Sequence, residues 1–214
     1  MKRYAVVVLV LALAEQVVWD LLDVVSLHRA PGPDAIGLFI VVVSAVFAVT
    51  HRNPRWRWLT VVVRLVMATE FLLAVADRFG ILGPAGSPGT SWGDFTHFVA
   101  YTRTMTTFLP AGLAPTLAVL ATVAEITLGS ALLLGVRLRL AALGSAVLLG
   151  TYALCMTATL PLAQQFHYTV FVLAAGMLTL ATVDRTPLTL DTLRHNRHNA
   201  PGVMAIDRSA KMSA

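Results

Sequence analysis

Long apolar stretches alternate with short polar ones along the chain. Apolar runs occupy about residues 4–26, 35–50, 58–79, 115–135, 139–160 and 166–183. They are separated by helix-stopping punctuation: Pro31-Gly32-Pro33, the polar stretch His51 to Arg57 with Pro54, the turn from Gly135 to Arg139, and Pro161. A bilayer-spanning helix needs about 20 residues. Lipid leaves no water for backbone groups, so only helices or a closed barrel can span it. Continuous apolarity without period-two alternation selects helices. The pattern predicts an all-α membrane protein with six transmembrane helices.

Composition agrees. Of 214 residues, 57% are hydrophobic and 13% charged, with a mean hydropathy of +0.75, against about 25% charged in an ordinary soluble domain. The net charge of +5 does not point to nucleic acid, because the basic residues are strung along helix ends and the tail. They act instead as topology signals. Lys2, Arg3, Arg52, Arg55, Arg57, Arg137, Arg139 and the basic residues of the tail fall on one side, against Arg29, Arg78 and Arg103 on the other. The positive-inside rule then places both termini in the cytoplasm of a plasma-membrane protein. The first run also resembles a secretory signal, with Lys2-Arg3 before an apolar stretch and Ala12-Leu13-Ala14 as a cleavage site. Cleavage there would leave five spans with the same downstream orientation. After residue 193 the chain is polar and aperiodic, with Pro201 and Gly202, and is expected to be a disordered cytoplasmic tail over 194–214.

A single cysteine, Cys155, excludes an internal disulfide, a CxxC pair and a Cys-rich cluster built by this chain. GxGxxG, P-loop and HExxH motifs are absent. No three residues show metal-ligand spacing, so no metal site and no covalently bound cofactor are expected.

The scarce charges inside the runs mark candidate chemistry, because ionisable groups in hydrocarbon are costly. At about 1.5 Å per residue, Glu15, Glu70 and Glu125 lie roughly 17, 18 and 15 Å from the inner ends of their spans, and Arg64 roughly 9 Å in. Ala121, Glu125 and Gly129 share one helix face, and small residues mark close helix packing. Glu125 is therefore expected to face protein, with Ala142, Ala146 and Gly150 as a matching surface. Arg64, Glu70 and Glu125 form the expected buried polar centre. It would be either a structural clamp, with Arg64 paired to a carboxylate, or a proton or headgroup site.

Between the third and fourth runs lies an outer loop, residues 80–112. Its Gly- and Pro-rich first part leads to Ser91-Trp92-Gly93-Asp94, which resembles a capping box with Asp in its last position. Trp92, Phe95, Phe98, Val99, Thr102, Met105 and Phe108 then recur at helical spacing, opposite Asp94, His97, Tyr101 and Thr104. This predicts an amphipathic surface helix. It serves either as a lid or anchor, or to present His97, Tyr101 and Arg103 to a small headgroup. His167, opening the last run, would lie at similar depth and is a further candidate.

Residues 58 to about 193 resemble the DoxX family of four-helix bacterial membrane proteins. The resemblance rests on Arg64-Leu65 leading to Asp77-Arg78-Phe79, on Glu125 and Gly129 before Leu132-Leu133-Leu134-Gly135, on Arg139-Leu140-Ala141-Ala142-Leu143, and on Asp184-Arg185 through Leu188-Thr189-Leu190-Asp191. It implies a four-helix bundle over 58–193; the two-helix extension over 1–57 and the long outer loop with its own helix depart from the family. It also implies a subunit or partner of a quinone-linked oxidoreductase in redox or sulfur metabolism, with quinone as the associated cofactor and redox proteins as partners beside the lipid bilayer. Two alternatives are a non-catalytic scaffold for soluble redox proteins and a proton-coupled carrier. Against the carrier, no inverted repeat is visible.

Overall fold

The structure is a computed structural model and describes residues 2–27, 58–160, 170–183 and 186–190, with the side chains of the first helix given over 4–18. The apolar run at 35–50, His167 and the tail 194–214 lie outside the described residues.

The described residues are helical, with no strand among them. Helix α1 spans Lys2–Leu27, α2 Leu59–Arg78, α3 Phe95–Met105, α4 Ala114–Leu134, α5 Leu138–Thr159 and α6 Val170–Leu180. A single 3₁₀ turn, Ala111–Leu113, leads into α4. There Pro115 occupies the first helical turn, where its missing N–H costs nothing. Gly135 stops α4 in the left-handed conformation at φ 67°, and the Val136 N–H returns to the Ala131 carbonyl at 3.0 Å. That is the Schellman closure of a helix, and it lets α5 start two residues later in the opposite direction.

Three helical segments are long and apolar enough to cross a membrane: Leu59–Arg78, Ala111–Leu134 and Leu138–Thr159. The apolar stretches Tyr4–Val18 and Val170–Leu180 are shorter. Among the described residues, three of the six expected spans are thus long enough to cross a membrane.

Helix α2 packs chiefly on α4, and α5 on α6; the α4–α5 contact joins the two pairs, α1 leans on α6, and α3 lies across α4. The α2–α4 contact is close because Gly129 faces α2. A Cβ there would stand 3.2 Å from the Phe71 Cβ and 3.3 Å from Leu72 Cγ. The small-residue face carrying Glu125 therefore meets α2, not the expected Ala142, Ala146 and Gly150 surface. Helices α4 and α5 instead approach through Leu128 over Gly144.

The bundle has two distinguishable ends. The turn end holds Gly135, Arg137, the start of α2 and the end of α6. The loop end holds the close of α2, the 79–94 loop and α3. Arg64 belongs to the turn end, where its Nη1 donates to the Leu188 carbonyl at 3.1 Å. This fastens the 186–190 segment beside Gly135.

At the loop end, Asp94 is the N-cap of α3, its Oδ1 accepting the His97 N–H at 2.8 Å. Ser91, the expected capping residue, instead donates its N–H to Asp77. The His97 backbone N–H first, and the His97 ring second, hold the Asp94 carboxyl below its ordinary value of 3.8. A carboxyl whose pKa is depressed by folding stabilises above that ordinary value and loses the contribution as pH falls through the folded one. Faster exchange of the His97 amide with solvent is therefore expected below pH 3.8, and Asp94→Ala should produce it at neutral pH. Amide exchange across a pH series checks both.

Candidate functional site

Arg78 is in the last turn of α2 and is 2% exposed, which demands partners. Its Nη2 lies 2.9 Å from Oε1 and 2.8 Å from Oε2 of Glu125, itself 2% exposed on α4. One nitrogen straddles both oxygens, so Oε2 shares the charge without receiving a directed hydrogen bond. Arg78 Nη1 donates to Thr122 Oγ1 at 3.1 Å, one turn along α4. The Tyr152 hydroxyl of α5 donates to Glu125 Oε1 at 2.8 Å. Three helices thus meet on one carboxylate.

Aromatic rings close the cluster from the loop end. The Arg78 guanidinium carbon is 3.6 Å from the Phe98 ring centroid and 5.1 Å from that of Trp92. Stacking of this kind replaces lost water with ring quadrupoles. The Arg78 Nε has no hydrogen-bond partner. Trp92 and Phe98 meet edge to face at 5.1 Å, and Tyr101 tilts against Trp92 at 5.9 Å.

The neighbouring residue, Asp77, fixes this roof. Its Oδ2 accepts the N–H groups of Ser91 and Trp92 at 2.9 and 3.1 Å, and its Oδ1 that of Gly93 at 3.0 Å. Asp77 is 3% exposed, and a buried carboxylate is held by such backbone donors. Consecutive residues of α2 therefore do separate work: Asp77 anchors the loop, and Arg78 neutralises Glu125.

The expected polar centre is redistributed. Glu125 is buried as expected, but its cation is Arg78, which the charge pattern had counted among the outer topology signals. Gly129 against Phe71 and Leu72 sets the α2–α4 register, placing Glu125 near the level of Val75. Arg64 lies about three turns further down α2, at the level of Gly135. Glu70 is on an exposed face of α2 and does not join Glu125. His97 is exposed and pairs through Nδ1 with Asp94 Oδ2 at 2.7 Å, and Arg103 is exposed. Tyr101 is half-buried against Trp92. All three lie on α3, and His167 lies outside the described residues. Sequence reasoning missed Arg78, Thr122, Tyr152 and Asp77. The spacing of Thr122 and Glu125, three apart on one face, was the available signal.

No group of three or more His, Cys, Asp and Glu side chains able to hold a metal occurs among the described residues. The cluster supplies a carboxylate, a guanidinium and two hydroxyls as hydrogen-bonding groups.

Residues 59–158 match the DoxX family model. This part of the chain is a DoxX domain. It runs from the start of α2 nearly to the end of α5 and contains every member of the cluster: Arg78, Trp92, Phe98, Thr122, Glu125 and Tyr152. The DoxX domain also includes the outer loop and α3, so the aromatic roof is part of it. Neither a curated protein nor a solved structure matches the chain.

Proposed function

We propose that this DoxX-domain membrane protein serves as a subunit or partner of a quinone-linked oxidoreductase, with the Arg78–Glu125–Tyr152 cluster as its proton-handling element. The observation that carries this is a pair of buried polar atoms left without hydrogen-bond partners, Glu125 Oε2 and Arg78 Nε. One is an acceptor and the other a donor, and a quinone offers carbonyl oxygens in one redox form and hydroxyls in the other. The donor set fits the group.

A quinone supplies two-electron, two-proton chemistry when bound. Arg78 Nε would donate to an oxygen, Glu125 Oε2 would accept from a hydroxyl, and Trp92 and Phe98 would exclude water. Tyr152 holds Glu125 Oε1 in place, and Arg78 supplies the counter-charge. Electrons would pass to or from a redox protein partner, for which the exposed Arg137 and Arg139 at the turn end offer a basic docking surface. Both termini lie in the cytoplasm of a plasma-membrane protein in this proposal, following the basic residues of the turn end.

Native mass spectrometry of the gently extracted protein is the test. A bound quinone is expected in the wild-type protein, lost in Glu125→Gln. Tyr152→Phe removes one donor and is expected to cost about 1 kcal/mol while keeping the fold. Absence of quinone from the wild-type protein, with normal quinone-linked respiration in a deletion strain, would refute the proposal.

A further inference from the structure

On the opposite side of the bundle from the Arg78 cluster, α1 does not close against α5. It leans on α6 instead, and the Thr179 hydroxyl reaches the Ala5 carbonyl at 3.4 Å. A cavity of about 480 Å³ remains between α1, α5 and α6. It lies within the range of about 300–1,000 Å³ typical of small-molecule sites. Val8, Leu11, Ala146, Val147, Phe171 and Leu178 are among its apolar lining residues.

Glu15 is the one ionisable group in this lining. It stands about 20 Å from the start of α1 and about 18 Å from its end. Helix α5, long enough to cross a membrane, gives the depth. Val147 lies about 14 Å in from Leu138, close to the middle of α5. At that depth the Glu15 carboxyl has apolar neighbours, and its oxygens call for a hydrogen-bond donor. Its partner must therefore bring a polar group to mid-membrane depth. A charged headgroup is held at the surface by the cost of entering hydrocarbon. An uncharged hydroxyl on a long apolar tail is not.

We propose that the groove between α1, α5 and α6 binds an uncharged, long-tailed lipid whose hydroxyl head donates a hydrogen bond to Glu15. The tail lies along Val8, Leu11, Ala146 and Phe171, and the head meets the carboxyl. The site shares no residue with the Arg78–Glu125–Tyr152 cluster, so it stands or falls separately from the quinone proposal.

The experiment uses the full chain in phosphatidylcholine nanodiscs and a hexadecanol probe carrying a diazirine along its tail. Crosslinked peptides are expected from α1 and α5. Glu15→Leu, which removes the polar partner, should lower the yield about fivefold, the equivalent of one hydrogen bond. Ala146→Trp, which fills the cavity and leaves Glu15 in place, should abolish it. Glu125→Gln should leave it unchanged, which separates this site from the quinone reading. Dicyclohexylcarbodiimide, an apolar carboxyl reagent, should label Glu15, and excess hexadecanol should slow that labelling. Equal crosslinking in wild type, Glu15→Leu and Ala146→Trp would overturn the proposal. So would the absence of both labels from α1, the result expected if another segment of this chain or a second copy fills the groove. Unchanged thermal melting of Glu15→Leu and Ala146→Trp shows that the fold survives these substitutions.

Discussion

Glu125→Leu is expected to destabilise the bundle by about 3–5 kcal/mol, because it leaves the Arg78 guanidinium buried without a counter-charge. Arg78 is 2% exposed and sits under Phe98 and Trp92, so it cannot turn out to water without opening the aromatic roof. The Tyr152 hydroxyl loses its acceptor in the same step. The double variant Arg78→Met with Glu125→Leu should recover most of the loss, since an apolar pair of similar volume is often as stable as a buried ion pair. Glu125→Gln should fall between them, keeping an acceptor for Tyr152 but no charge. Thermal unfolding in detergent distinguishes these outcomes. Equal stability of Glu125→Leu and the double variant would show that the ion pair is not energetically coupled.

Gly93→Ala should release the outer loop. Gly93 has φ +71°, a left-handed conformation that costs other residues about 1–3 kcal/mol. A Cβ on Gly93 would also overlap the Ala85 backbone nitrogen and come within 2.7 Å of the Pro84 carbonyl carbon. Backbone cannot yield as a side chain can, so the 84–85 segment must move away. The Gly93 N–H is then drawn off Asp77, and the anchor that fixes Trp92 over Arg78 weakens. Gly86 is the control: its φ is +87°, but a Cβ there meets nothing within 4 Å. Limited proteolysis between residues 80 and 94 should accelerate strongly in Gly93→Ala and only slightly in Gly86→Ala. Identical cleavage rates would mean that Asp77, not the close approach at Gly93, governs the loop.

Helices and their ends were legible because they depend on neighbours in sequence. Apolar runs located α2, α4 and α5 to within a few residues, and Gly135 marked the turn between α4 and α5. The period of Phe95, Phe98, Thr102 and Met105 located α3, whose Phe98 and Thr102 are buried. Its cap was read one step too early, because Asp94 and Ser91 both have suitable side chains and only the position of Asp77 assigns Ser91 elsewhere.

Glu125 was legible as a buried group, since Gly129 on its face marks close packing. Its partner was not. Arg64 and Arg78 lie fourteen residues apart on one helix; the charge pattern offered Arg64 as the cation and placed Arg78 among the outer topology signals, although both are buried. The choice depends on how far α2 has slid along α4. That slide is fixed where Gly129 admits Phe71 and Leu72, a contact between residues more than fifty positions apart.

The sequence by itself determined that the chain is helical, apolar enough for a bilayer and possessed of a few carboxylates that must be accounted for. Hydrophobicity and helical period are local properties, and a bilayer rewards them directly. Only the tertiary structure decided that Arg78 rather than Arg64 neutralises Glu125, that Tyr152 joins them, and that Glu15 lines a groove on the other side. Those outcomes follow from the register and tilt of packed helices, which no single helix carries in its own sequence.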